Sequence, residues 1–174
     1  MVECQKCLDP TSFGLFLVAT ISLPLALWNL IGKENAAGVT VYDGGPASMA
    51  FVVIGLLIIV VAMLAYKSDS NFGFIVFGLV GAAVTLSGLG ADSYTALAFA
   101  FMFLLAIIWS VLAKTPKNLS LILVTTTLVF LTVGLSGLIA GDYWHWVIGI
   151  CALFNFLFNI FMAYALATEK LPVF

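Results

Sequence analysis

The sequence predicts an all-α membrane protein built as a bundle of six transmembrane helices. Hydrophobic residues make up 64% of the chain and charged residues only 8%, whereas soluble domains carry about 25% charged residues. Six apolar stretches are each long enough to cross a bilayer core, which needs about 20 residues per helix. Because the breaks between them are short, residues 1–174 are expected to form a single membrane domain.

The six predicted spans contain no Asp, Glu, Lys or Arg. They cover residues 13–31, 47–66, 72–89, 94–113, 119–140 and 144–167. Asp9 or Thr11 can cap the first helix, and Pro10 suits its first turn. Pro24 lies inside that span and frees the carbonyl of Thr20, a group that lipid cannot satisfy. This favours a first helix that lines a path over one that is only an anchor.

Small and hydroxyl residues mark the third and fifth spans. Four glycines between Gly73 and Gly88 predict a closely packed third helix, with a backbone-lined pore as the alternative. The three consecutive threonines Thr125–Thr127 cannot all face one side, and such hydroxyls often bond back to their own helix.

Polar side chains inside the spans are the candidates for a solute pathway. Asn155 and Asn159 lie four residues apart, so one face of the sixth helix presents both amides. An unpaired amide is costly in lipid, so this pair must face other helices or water. Thr126, Thr132 and, near the outer end of the first span, Asn29 complete the set. Bonding between helices and pore lining both remain open interpretations.

The lysines predict the orientation of the bundle. Six spans place both termini and two of the loops on one side of the membrane. That side holds Lys6, Lys67, Lys114, Lys117 and Lys170, and the other side holds Lys33 alone. Because positively charged loops stay in the cytoplasm, both termini are predicted to be cytoplasmic, in a multi-pass protein of the plasma (inner) membrane.

The composition argues against several classes of function. The chain has no Arg and a net charge of −2, which disfavours nucleic-acid binding. No span holds a carboxylate and no catalytic or nucleotide-binding motif occurs, so neither an enzyme nor an ATP-driven pump is expected. Cys4 and Cys7 form one C-x-x-C without further ligands, so no metal or other cofactor is predicted. His145, at the outer mouth, is interpreted as an interfacial surface residue, with a pH gate as the alternative.

Several short motifs follow one another along the chain. Residues 9–15 read D-P-T-S-F-G-L, and residues 64–73 read L-A-Y-K-S-D-S-N-F-G. They resemble the N-P-A-P-L-G-L signature and the L-E-Y-K…N-T-F-G turn of the succinate–acetate permease family. Residues 27–32 match an L-x-N-x-x-G helix end, and residues 146–163 resemble its G-W-I-G-L-I-C…A-I-Y-L-A stretch. The signature residues in this chain are Asp9, Pro10, Gly14, Asn71, Phe72 and Gly73. The similarity covers nearly the whole chain, in order.

This resemblance implies both an architecture and a function. It implies a six-helix protomer with its own pore, a ring-shaped homo-hexamer, and transport of acetate and related short-chain carboxylates, succinate among them. The family's hydrophobic constriction would fall on Val18, Val80 and Thr126, without the aromatic side chains that the family has there. Ile58 and Ala65 replace a polar Gln and a Glu of the family. Loss of the Gln removes a donor that could hold a carboxylate.

In a pore without lysine or arginine, a carboxylate has to exchange its water shell for hydrogen bonds from neutral donors. Burying a bare charge is costly, so protonation before the waist would ease passage and make uptake rise at acidic pH. Passive and proton-coupled transport are both open. One alternative is a channel for small neutral solutes such as urea or short amides. The other is a non-transporting scaffold, which would not need Asn and Thr within its spans.

Overall fold

Six helices form most of the computed structural model, which describes residues 10–34, 40–41 and 48–168. The helices are α1 (Pro10–Ile31), α2 (Ser48–Lys67), α3 (Asn71–Gly88), α4 (Ser93–Leu112), α5 (Lys117–Ser136) and α6 (Tyr143–Thr168). Two-residue strands between α1 and α2, β1 (Lys33–Glu34) and β2 (Thr40–Val41), pair antiparallel. All six helices are long and apolar enough to cross a membrane, which confirms the predicted class.

Every helix begins and ends within four residues of its predicted span. α1 begins three residues early, at Pro10, because proline suits a first turn in which no N–H partner is needed. α5 ends at Ser136, four residues early, because the chain tightens into a turn there. In that turn the Leu138 N–H bonds to the Leu135 carbonyl, three residues back, at 3.0 Å.

Some sequence-based interpretations concern residues outside the described ranges. These residues are Cys4, Lys6, Cys7, Asp9 and Lys170. The described ranges include Pro10 and the later signature residues, Cys151, and the lysines near the loops after α2 and α4.

The helices pack in a closed ring that follows the order of the chain. Each helix contacts the next, and α6 returns to pack along α1. α2 approaches α3 closely because glycines leave out side chains at their contacts. A Cβ on Gly81 would lie 2.8 Å from the Gly55 carbonyl oxygen, and one on Gly88 would lie 2.7 Å from the Ser48 carbonyl oxygen. The close packing expected of the glycine-rich third span is confirmed at these two positions.

The helices divide into those that form the interior and those that face outward. In the most apolar stretch of each helix, 50% of α5 and 44% of α1 is buried, against 28% of α2 and of α4. α2 and α4 carry exposed apolar side chains such as Val60 and Leu105. An apolar surface of this extent does not belong in water, so these faces meet lipid or another chain.

The two ends of the bundle differ in charge. α1, α3 and α5 begin at one end, named the lysine-rich end, where Lys67, Lys114 and Lys117 are exposed. The other end, named the acidic end, carries the exposed Asp92 and Asp142. This division matches the one expected from the sequence for the part of the chain that the structure describes.

Candidate functional site

Two cavities lie inside the ring, one in each half of the bundle. The cavity toward the lysine-rich end, named the lysine-side cavity, has a volume of about 120 Å³, and the acid-side cavity has about 110 Å³. α1, α3, α5 and α6 contribute residues to both linings. Each cavity has room for a few water molecules or one very small organic solute. None of the described residues that line them is charged.

Val18 of α1 and Val80 of α3 line both cavities, so the two chambers adjoin at these side chains. Each valine is only 5% exposed. On α5, Thr126 lines the acid-side cavity and Ile122, one turn earlier, lines the lysine-side cavity. The three residues predicted for a constriction therefore lie together in the cavity walls, with the two valines at the junction.

Asn155 joins α6 to α1 and α5 through a buried hydrogen-bond network. Its Nδ2 donates to Thr126 Oγ1 at 2.7 Å and to Thr125 Oγ1 at 3.1 Å. Its Oδ1 accepts from Ser22 Oγ at 2.8 Å and from Asn159 Nδ2 at 3.0 Å. The amide of Asn155 therefore has a partner at each of its four hydrogen-bonding positions.

Backbone carbonyls of α5 set the direction of this network. The hydroxyls of Thr125 and Thr126 donate to the Ile122 carbonyl, at 2.9 and 2.8 Å, so their oxygens accept from Asn155. This turns the NH₂ of Asn155 toward α5 and its Oδ1 toward Asn159. Asn159 Nδ2 then donates to Asn155 Oδ1 and, at 2.8 Å, to the Asn155 carbonyl. Asn159 Oδ1 therefore points away from Asn155.

Asn159 Oδ1 is a buried acceptor without a hydrogen-bond partner. The residue is 0% exposed and forms part of the wall of the lysine-side cavity. An unsatisfied buried polar atom costs about 1–3 kcal/mol, so native proteins rarely keep one without a reason. Asn155 and Asn159 thus lie in the walls of different cavities, one with its amide saturated and the other with a free acceptor.

Two predicted pathway residues lie outside both cavities. Asn29 donates to the Leu25 carbonyl at 2.9 Å, and its Oδ1 lies 3.1 Å from His145 Nδ1, so it ties α1 to α6 near the acidic end. The Thr132 hydroxyl donates to the Leu128 carbonyl at 2.8 Å. Asn29 therefore takes part in bonding between helices, whereas Thr132 bonds only within its own helix.

The signature residues that lie within the described ranges cluster at the lysine-rich end. Pro10 and Asn71 begin α1 and α3. A Cβ on Gly14 would lie 2.6 Å from a ring carbon of α3, so glycine at this position lets the two helices approach. Phe72 and Gly73 line the lysine-side cavity.

Sequence reasoning missed Ser22 and Ser70, which also line the cavities. Ser22 precedes Asn29 by seven residues, so the helical period places both on one face of α1, a signal that was available. Ser70 caps α3 by accepting from the Gly73 N–H at 3.2 Å. A serine just before a helix is a recognised start signal, but it does not reveal that the cap faces a cavity.

A solved structure shares this arrangement of helices. The bacterial acetate channel SatP is similar with a TM-score of 0.75 and 16% sequence identity, over 95% of this chain and 98% of that chain. This chain has the fold of SatP. The fold that the family resemblance implied is thereby confirmed. No protein-family model matches the chain, and no curated protein matches it in sequence.

The family resemblance set Ile58 and Ala65 against a polar Gln and a Glu. Both residues are 0% exposed and line neither cavity. The hydrogen-bonding residues of the two linings are Ser, Thr and Asn.

Proposed function

We propose that this chain is a multi-pass membrane channel or transporter for acetate and related short-chain carboxylates, with one path through each protomer. The observation that carries the proposal is the pair of cavities that share Val18 and Val80. A solute moving along the axis of the ring meets a chamber, an apolar waist and a second chamber. The shared fold with an acetate channel supports the same function.

The size and lining of the cavities favour a small monocarboxylate. A chamber of about 110 to 120 Å³ suits a solute of a few heavy atoms better than a sugar or a nucleotide. Val18, Val80 and Ile122 offer no hydrogen bond to a solute, so it crosses the waist without its water shell. Succinate has two carboxyl groups to desolvate and is expected to pass more slowly than acetate.

The cost of desolvation favours passage of the protonated acid. Moving a carboxylate into an apolar surrounding without a partner costs far more than moving the neutral acid. No described residue of either lining carries a positive charge that could offset this cost. Net movement of the acid then carries a proton with it, so uptake rises as the external pH falls.

We also propose the setting in which this path works. Both termini lie in the cytoplasm and the protein resides in the inner membrane, as the distribution of lysines favours. The apolar outer faces of α2 and α4 are covered by lipid and by neighbouring copies in a ring-shaped hexamer. The chain acts without a cofactor and has no enzymatic role.

Uptake of labelled acetate into liposomes that contain the purified protein tests this function. Val18→Trp and Val80→Trp are each expected to lower the protein-dependent flux by at least about tenfold, because an indole overfills the junction of the cavities. Val60→Trp is the matched control, since this valine is 52% exposed on the outer face of α2. Full flux in both waist variants would place the path elsewhere. Flux that stays flat from neutral to acidic pH would contradict the protonated route.

A channel for small neutral solutes is the second candidate function. The uncharged lining of both cavities favours it, because urea and short amides need no counter-charge. Acetate and urea fluxes measured in the same vesicles separate the two functions. Urea flux that exceeds acetate flux at every pH would favour the neutral-solute channel.

A further inference from the structure

Asn159 lines the lysine-side cavity, and its amide has a hydrogen-bond acceptor without a partner and no free donor. Both N–H groups of its amide are used by Asn155, and its Oδ1 is buried without a partner. Rotating the amide by half a turn would set its oxygen against the carbonyl and the Oδ1 of Asn155. Asn159 Oδ1 would then face two other acceptors with no proton between them. The two acceptors of Asn155 therefore fix the observed orientation of the Asn159 amide.

A free acceptor discriminates between the two forms of a carboxylic acid. The carboxylate carries only acceptors and would meet Asn159 Oδ1 without a proton between them. The undissociated acid carries one O–H donor, which completes the hydrogen bonding of the amide. The group therefore favours the neutral form of the solute at this point of the path.

We infer that Asn159 forms a binding site for the undissociated form of a short carboxylic acid, whose O–H donates to Asn159 Oδ1. The solute class rests on the proposed function, and the preference for a donor rests on the hydrogen-bond network alone. An O–H···O contact needs an oxygen–oxygen distance of about 2.5–3.0 Å. Because Oδ1 is buried, binding of the acid requires the side chains around it to move slightly.

The site lies beside the waist. Val18 and Val80 line the same cavity as Asn159, so an acid bound there is next to the apolar junction. It is held in the form that crosses that junction at the lower desolvation cost. Ser70 and Thr11 are further polar residues of this lining.

Proteoliposome fluxes of acetate and acetamide, each corrected for empty liposomes, test the site. Acetamide has nearly the shape of acetic acid and donates N–H at every pH, so its flux is expected to be independent of pH. Acetate flux at fixed total concentration is expected to fall about tenfold for each pH unit above the pKa of the acid. Asn159→Leu removes the acceptor and is expected to lower both fluxes by about tenfold.

Thr127→Val is the matched control. It also removes a buried polar group, but that hydroxyl bonds to the Leu123 carbonyl of its own helix and lines neither cavity. Its fluxes are expected to equal those of the wild type. If Asn159→Leu does not fold, Asn159→Ala replaces it in the same assay with the same expectation. Equal acetate flux at neutral and acidic pH in the wild type would also overturn the inference.

The remaining outcomes separate this inference from the proposed function. Absence of protein-dependent acetate flux at every pH would overturn the proposed function. Acetate flux that keeps its pH dependence and its full rate in Asn159→Leu would overturn the site and leave the proposed function standing. Acetamide flux that depends on Asn159 in a protein without acetate flux would overturn the assignment of the occupant as an acid.

Discussion

Asn155 and Asn159 look equivalent in the sequence, but their amides have different hydrogen-bond partners in the folded protein. Their spacing predicts that they share a face of α6, and both are buried there. Their roles diverge because Thr125, Thr126 and Ser22 surround only Asn155. Those partners come from helices that are distant in sequence, so no local pattern could have distinguished the saturated amide from the unsaturated one.

Asp92 provides a test at the level of one side chain outside the membrane. It caps α4, and its hydrogen bonds to the hydroxyl and the N–H of Thr95 hold the pKa of its carboxyl below the ordinary value. A carboxyl with a depressed pKa stabilises the fold above its unfolded-state pKa and loses that contribution as the pH falls through the folded-state value. Asp92→Ala should therefore lower the melting temperature in detergent at neutral pH, and the difference from wild type should shrink in acid.

Asp92→Asn serves as the control for this cap. An amide oxygen still accepts from the Thr95 N–H, so the variant should melt closer to the wild type than Asp92→Ala does. A wild-type advantage over Asp92→Ala that is the same at neutral and strongly acidic pH would show that the charge of the cap contributes nothing.

At the level of helices, the hydropathy of the sequence predicted most of what the structure shows, whereas it could not predict the contacts of single side chains. The requirement for about 20 apolar residues per span fixes the number and approximate limits of the helices. Their ends depend on turns, and so the end of α5 was wrong by four residues. Gly32 and Gly90 follow helices with φ of 65° and 87°, a conformation that glycine adopts without strain.

The α2–α3 contact gives a paired test within one helix. Gly81→Ala would place a Cβ 2.7 Å from Ile59 Cγ1 and 2.8 Å from the Gly55 carbonyl oxygen, so it should destabilise the protein by about 1–3 kcal/mol. Gly78→Ala meets nothing closer than the Ala62 Cβ at 4.0 Å and should be neutral or stabilising by up to about 1 kcal/mol. Unfolding in detergent measures both. Equal effects of the two substitutions would rule out backbone approach as the reason for the glycine at 81.

At the level of the whole molecule, the sequence predicted the number of helices and the distribution of charge. It did not predict the ring, because α1 and α6 meet only through contacts between distant parts of the chain. Ser12 contributes one of them, with its hydroxyl donating to the Ala163 carbonyl at 2.9 Å. The two cavities inside the ring likewise arise from packing and have no counterpart in any single motif.

The orientation of the ring in the membrane is testable with exposed loop residues. Lys114→Cys and Asp142→Cys, each made in a background without native cysteines, carry thiols at opposite ends of the bundle. A membrane-impermeant maleimide applied to intact cells should label the cysteine at 142 and spare the one at 114, because positively charged loops stay in the cytoplasm. Labelling of the cysteine at 114 from outside would reverse the proposed orientation.

The amide of Asn155 is saturated and that of Asn159 has a free acceptor. This difference affects where along the path a solute stays longest, but it leaves the direction of net movement unchanged. A solute that lingers beside Asn159 spends longer on one side of the Val18–Val80 junction than on the other. At equal concentrations across the membrane, forward and backward crossings must still balance, because a fixed binding site supplies no free energy. The asymmetry instead sets the solute concentration at which the flux saturates. The site at Asn159 is half-occupied at a lower concentration when the solute is supplied from one side of the membrane than when it is supplied from the other.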